Sequence, residues 1–164
     1  MKELQTTWTE RYKYYILGVP YLWESQQRCD LCLGVCPDWD RSIEIKMIRF
    51  LGDNGKPNDN MLMHILSPYF QHRSAITDCG KLVESGLKNS KVILIYGFAH
   101  DNWPLGPPVG AFETLAAMEV AARDADLGVR LEANFEDLEH PIHSSGKVFA
   151  LEIVPEGSRQ VTSR

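Results

Sequence analysis

Ser42-Ile43-Glu44-Ile45-Lys46-Met47-Ile48-Arg49-Phe50-Leu51 is the stretch on which the fold turns. Its side chains alternate, with Ile43, Ile45 and Met47 to one side and Ser42, Glu44, Lys46 and Ile48 to the other. That is the two-residue period of a β-strand. Glu44 and Lys46 therefore point to the same face. A carboxylate and an ammonium on a strand this apolar need partners, because burying either alone is costly. One reading is a solvent-facing ion pair on an edge strand. The other requires a second carboxylate close by.

Asp30 supplies it. Residues 28–35 read as a compact strand, and Cys36-Pro37-Asp38-Trp39-Asp40 has the composition of a turn. Folding the two strands back across that turn sets Asp30 beside Glu44 on one face. The alternative Pro37-Asp38 pair lies only six residues before Glu44, too close for a strand and a turn between them. Two neighbouring carboxylates repel unless a cation sits between them, and an all-oxygen donor set suits Mg2+ or Mn2+. Such a metal polarises a phosphodiester and lowers the pKa of a bound water. Lys46 then orients the water or stabilises charge on phosphorus, and the peptide carbonyl of Ile45 adds a ligand.

The rest of the chain builds outward from this pair. Leu4, Trp8, Tyr12, Tyr15 and Ile16 fall at helical spacing, predicting a helix over residues 4–17 with Thr7 and Glu10 as a capping box. Gly18 and Pro20 end it, and residues 21–24 suggest a short strand. After the motif strand come a polar loop at 52–60, a short helix at 61–66 closed by Pro68, and a stronger helix at 74–85 with Gly86 as its C-cap. Lys91 to Phe98 is apolar on both faces, as expected of a central strand covered by helices. Val109, Phe112, Ala116 and Val120 mark a last helix, and residues 129–135 and 147–154 read as two antiparallel strands. The expectation is one α/β domain over residues 1–155, a mixed sheet in the order α, β, β, β, α, β, α, β, β, and a flexible polar tail at 156–164.

Asp30 followed by Glu44-Ile45-Lys46, set on two strands after an N-terminal helix and before a helix and an apolar strand, resembles the PD-(D/E)xK nuclease superfamily and its small bacterial members. The family core, αβββαβ, is similar to residues 4–98. The resemblance implies a restriction endonuclease-like three-layer fold, a central mixed sheet flanked by helices. It also implies a metal-dependent nuclease, with Asp30 and Glu44 holding Mg2+ and Lys46 assisting the attacking water. Glu10 would match the helix-borne glutamate that serves the metal in some members. The residue before Asp30 is Cys29 rather than the family's proline. Arg41, Arg49, Arg73 and Lys81 are the candidate phosphate-binding residues, and nucleic acid, DNA ahead of RNA, is the expected partner. Dimerisation would widen the groove of so small a core.

Composition limits the alternatives. The 164 residues carry 17 Lys+Arg against 22 Asp+Glu, a net charge of -5, so a general nucleic-acid coat is excluded and only a local basic site fits. No apolar run approaches a membrane span, and the start of the chain lacks a signal-peptide core, so a cytoplasmic protein without membrane contact is expected. Cys29, Cys32 and Cys36 form C-x2-C-x3-C, but Gln26 stands where an iron–sulfur motif needs a fourth ligand. Strand alternation sends Cys29 and Cys32 to opposite faces, which makes a zinc or iron–sulfur site the minor alternative. Asp78 and Lys81 read as a surface ion pair with an occasional phosphate role for the lysine, His140 and His143 as loop residues, and His100, Asp101 and Trp103 as a connector or a lid. A non-catalytic binding or regulatory module on the same fold is the main rival.

Overall fold

In the computed structural model the motif strand is the pivot of a six-stranded mixed sheet. Residues 14–21, 27–100, 102 and 104–156 are described. β1 (Tyr15–Pro20), β2 (Arg28–Val35) and β3 (Asp38–Ile48) form an antiparallel meander. β4 (Ser90–Phe98) lies parallel to β3, with Glu44 opposite Ile93 and Lys46 opposite Ile95. A parallel neighbour demands a crossover, and the chain makes it through α1 (Met63–Leu66), a 3-10 turn (Phe70–His72) and α2 (Ala75–Glu84). After α3 (Gly106–Ala121), β5 (Ala125–Phe135) and β6 (Gly146–Pro155) complete the order β1-β2-β3-β4-β6-β5.

The helices of the described residues cover one face of the sheet. Ile48, Ile93, Ile95, Phe149 and Leu151 pack there against Ile76 and Leu82 of α2 and Phe112, Ala116 and Val120 of α3. The other face of β4, with Leu94 and Tyr96, stays half-buried. The second helical layer expected from residues 4–17 falls mostly on residues 1–13, outside the described residues. Residues 15–17 correct that expectation, for they are strand, not helix. Tyr15, Ile16 and Val19 favour extended chain, and the free edge of β2 supplies pairing that local spacing does not reveal. Pro20 ends this edge strand, where its missing N–H costs nothing.

The turn at 36–40 is shorter than its composition suggests. Only Cys36 and Pro37 form it, joined by a cis peptide bond, and β3 begins at Asp38. No helix among the described residues is long and apolar enough to cross a membrane.

Candidate functional site

The site forms where two strands part. Backbone pairing between β2 and β3 runs from the hairpin only as far as Leu31 and Ile43. Beyond that point the Ile45 N–H is taken by a side chain, donating to Asp30 Oδ2 at 2.8 Å. A strand residue's C=O points the same way as its N–H, so the Ile45 carbonyl also faces this gap. The parted strands open a cleft of about 330 Å³ lined by Asp30, Glu44, Lys46, Phe70, Arg73 and Lys81, with Gln27 and Arg28 at its edge. The sequence motif is thus gathered in one place. Asp38, the discarded alternative, sits at the far end of β3, six residues or about 20 Å from Glu44.

Helix α2 provides the floor. Ser74 caps its first turn by accepting from Thr77 N–H at 3.3 Å. This fixes the helix so that Asp78 faces β3, where its side chain is fully buried and bridges two ammoniums, Lys46 at 2.5 Å and Lys81 on its own helix. The Asp78–Lys81 pair foreseen on the surface is real but lies inside, because α2 turns that stripe toward the sheet. Asp78 is the residue that sequence reasoning underrated. The clue was a charged i, i+3 pair on the same stripe as the apolar Cys79 and Leu82 of a packed helix.

Glu44 is 2% exposed. It accepts a hydrogen bond from the Tyr21 hydroxyl and lies 3.9 Å from Lys81 Nζ. Burial, then the Asp78 charge, pushes its carboxyl up to about 8, against the pull of Lys81 and Tyr21. Arg28, Lys46, Arg73 and Lys81 face Asp30, Glu44 and Asp78, which gives an acidic chain a local site able to accept an anion.

Other candidates lie elsewhere. Arg41 alternates to the opposite face of β3 from Glu44, and Arg49 pairs with Asp53 at 2.7 Å; neither lines the cleft. Glu10, Asp101 and Trp103 are outside the described residues. Cys29 and Cys32 are both buried in the core, where Cys29 Sγ donates to the Ile43 carbonyl at 3.4 Å and Cys32 Sγ lies 3.6 Å from Ser42 Oγ. Cys36 is exposed at the hairpin turn. A larger cleft of about 600 Å³ includes Arg130, Glu132 and Lys147, but these are already paired with one another and with Glu113.

Asp30, Glu44 and the Ile45 carbonyl are hard oxygen donors beside one opening, which suits Mg2+. Mg2+ commonly takes one or two carboxylates and fills its remaining positions with water and phosphate. Among the described residues no group of three or more His, Cys, Asp or Glu side chains is arranged to hold a metal by itself. No family model, curated protein or solved structure matches this chain.

Proposed function

We propose that this protein is a metal-dependent nuclease of the PD-(D/E)xK type that hydrolyses a nucleic-acid phosphodiester, with DNA the favoured substrate. The observation that carries the reading is the meeting of Asp30, Glu44 and Lys46 in one cleft at the point where β2 and β3 part. The meander β1-β2-β3, the crossover through α2 and the parallel β4 support a restriction endonuclease-like core.

In this reading Asp30, Glu44 and the Ile45 carbonyl hold Mg2+ or Mn2+. When bound, the ion supplies charge neutralisation at the phosphate and an acidified water. Arg73 and Lys81, both on the cleft wall, bind phosphate oxygens. Asp78 holds Lys46 in place at the cleft through their ion pair, where the ammonium orients the attacking water and stabilises charge gathering on phosphorus. Tyr21 fixes one oxygen of Glu44 and leaves the carboxylate a single orientation toward the opening.

The test is cleavage of single- and double-stranded DNA and RNA by purified protein with Mg2+ or Mn2+. Cleavage that stops with EDTA supports the reading. No cleavage of any of these substrates contradicts it and leaves the non-catalytic binding module.

A further inference from the structure

Residues 67–74, between α1 and α2, are built more firmly than a connector needs. Ser67 Oγ hydrogen-bonds His72 Nδ1 at 2.6 Å and accepts from Tyr69 N–H at 3.2 Å. The Ser67 carbonyl accepts from the Ser74 hydroxyl. Arg73 closes the turn in the left-handed region, φ 46° and ψ 47°, a conformation that costs a non-glycine residue energy and persists only where its surroundings enforce it. This arrangement puts Arg73 and the Phe70 ring on the wall of the cleft that holds Asp30 and Glu44. Phe70 remains 61% exposed and Tyr69 beside it 62%, with the Tyr69 ring held edge-on to His72.

We infer that this rim grips an unpaired base next to the phosphodiester under attack, so that the substrate is single-stranded, or locally unpaired, at the site. The inference rests on the nuclease reading above and narrows its substrate. An aromatic face beside a cation is what proteins use to hold an unpaired base, and it serves any base because each offers a π-face. A duplex keeps its bases stacked on one another and offers mainly phosphates, which are bound by many cations. This chain has a net charge of -5, and its cleft cations are few. Stacking on Phe70 supplies what phosphate contacts alone would not.

The test uses the full-length chain and a short fluorescein-labelled DNA strand of mixed sequence, alone and annealed to its complement. Binding is read by fluorescence polarisation with Ca2+ in place of Mg2+, so that affinity is measured without turnover. Wild-type protein is expected to prefer the single strand. Phe70→Ala is expected to bind it about 10-fold more weakly, with little change on the duplex, while Phe70→Trp keeps the single-strand affinity. Equal single-strand binding by wild type and Phe70→Ala, or a wild-type preference for the duplex, overturns the inference. Cleavage of the same strands with Mg2+ is measured separately. Phe70-dependent single-strand binding without cleavage would overturn the nuclease reading alone. Cleavage of both strands that is indifferent to Phe70 would overturn this inference alone.

Discussion

Lys46 of β3 and Asp78 of α2 meet at 2.5 Å across the sheet–helix interface, and the aspartate side chain has no exposure to solvent. Lys81, one turn along α2, reaches the same carboxylate. One buried anion thus sets the position of two cleft cations. A buried charge with good partners is stabilising only relative to its broken form, so the cluster fixes geometry at some cost if disturbed.

Asp78→Ala removes the carboxylate that Lys46 and Lys81 share and leaves Lys81 only the Glu44 carboxyl, 3.9 Å away. Unfolding in urea should show a loss of roughly 3–5 kcal/mol, the usual consequence of breaking a buried ion pair from one side. Asp78→Asn, which keeps the shape and part of the hydrogen bonding, should lose less. Equal stability of wild type and Asp78→Ala would mean the two ammoniums do not depend on this residue.

Gly146 tests the half of the sheet that lies beyond β3, where β4, β6 and β5 pair. A Cβ at this position would meet the Gly97 carbonyl oxygen at 2.1 Å and the Phe135 ring at 2.3 Å. Gly146→Ala should therefore destabilise the protein by about 1–3 kcal/mol, the common cost of overpacking, seen as a lower Tm. An unchanged Tm would argue against the close β4–β6–β5 packing.

His143 gives a pH dependence. It is 3% exposed, stacks on Phe98 at 4.6 Å, and has Nε2 3.1 Å from the Leu51 carbonyl. Burial lowers its pKa below the ordinary histidine value. The unfolded chain therefore takes up the proton first as pH falls, and the contribution to stability present at neutral pH is lost below about 6.5. Comparing urea midpoints at about pH 7 and about pH 5 should show a smaller acid loss in His143→Gln than in wild type. The same loss in both would place the acid sensitivity elsewhere.

The motif was legible in sequence because strand periodicity alone places Glu44 and Lys46 on one face, and a short turn brings Asp30 alongside. The two central strands were legible for different reasons: β3 alternates apolar with polar side chains, and β4 carries an apolar run on both faces. β1 was not, since Tyr15 and Ile16 fit a helical spacing carried over from Leu4, Trp8 and Tyr12, and what makes them strand is the distant edge of β2. Asp78 was visible only as half of a local ion pair, because its depth depends on how α2 packs against β3. Phe70 and Arg73 escaped as a pair because the left-handed turn that joins them in one cleft is held by Ser67, His72 and Ser74, not by their own spacing.

Lys46→Ala is the variant that measures the central claim most directly, with Mg2+-dependent DNA cleavage and calorimetric metal binding recorded on the same preparations. If, as proposed, the ammonium acts on water and phosphate and not on the metal, cleavage should fall about 10²–10³-fold while metal affinity stays close to wild type. Glu44→Ala should lose both. Wild-type cleavage that Lys46→Ala matches in rate would contradict the account, and the Glu44–Lys46 pair would then be a structural feature of β3 and no part of an active site.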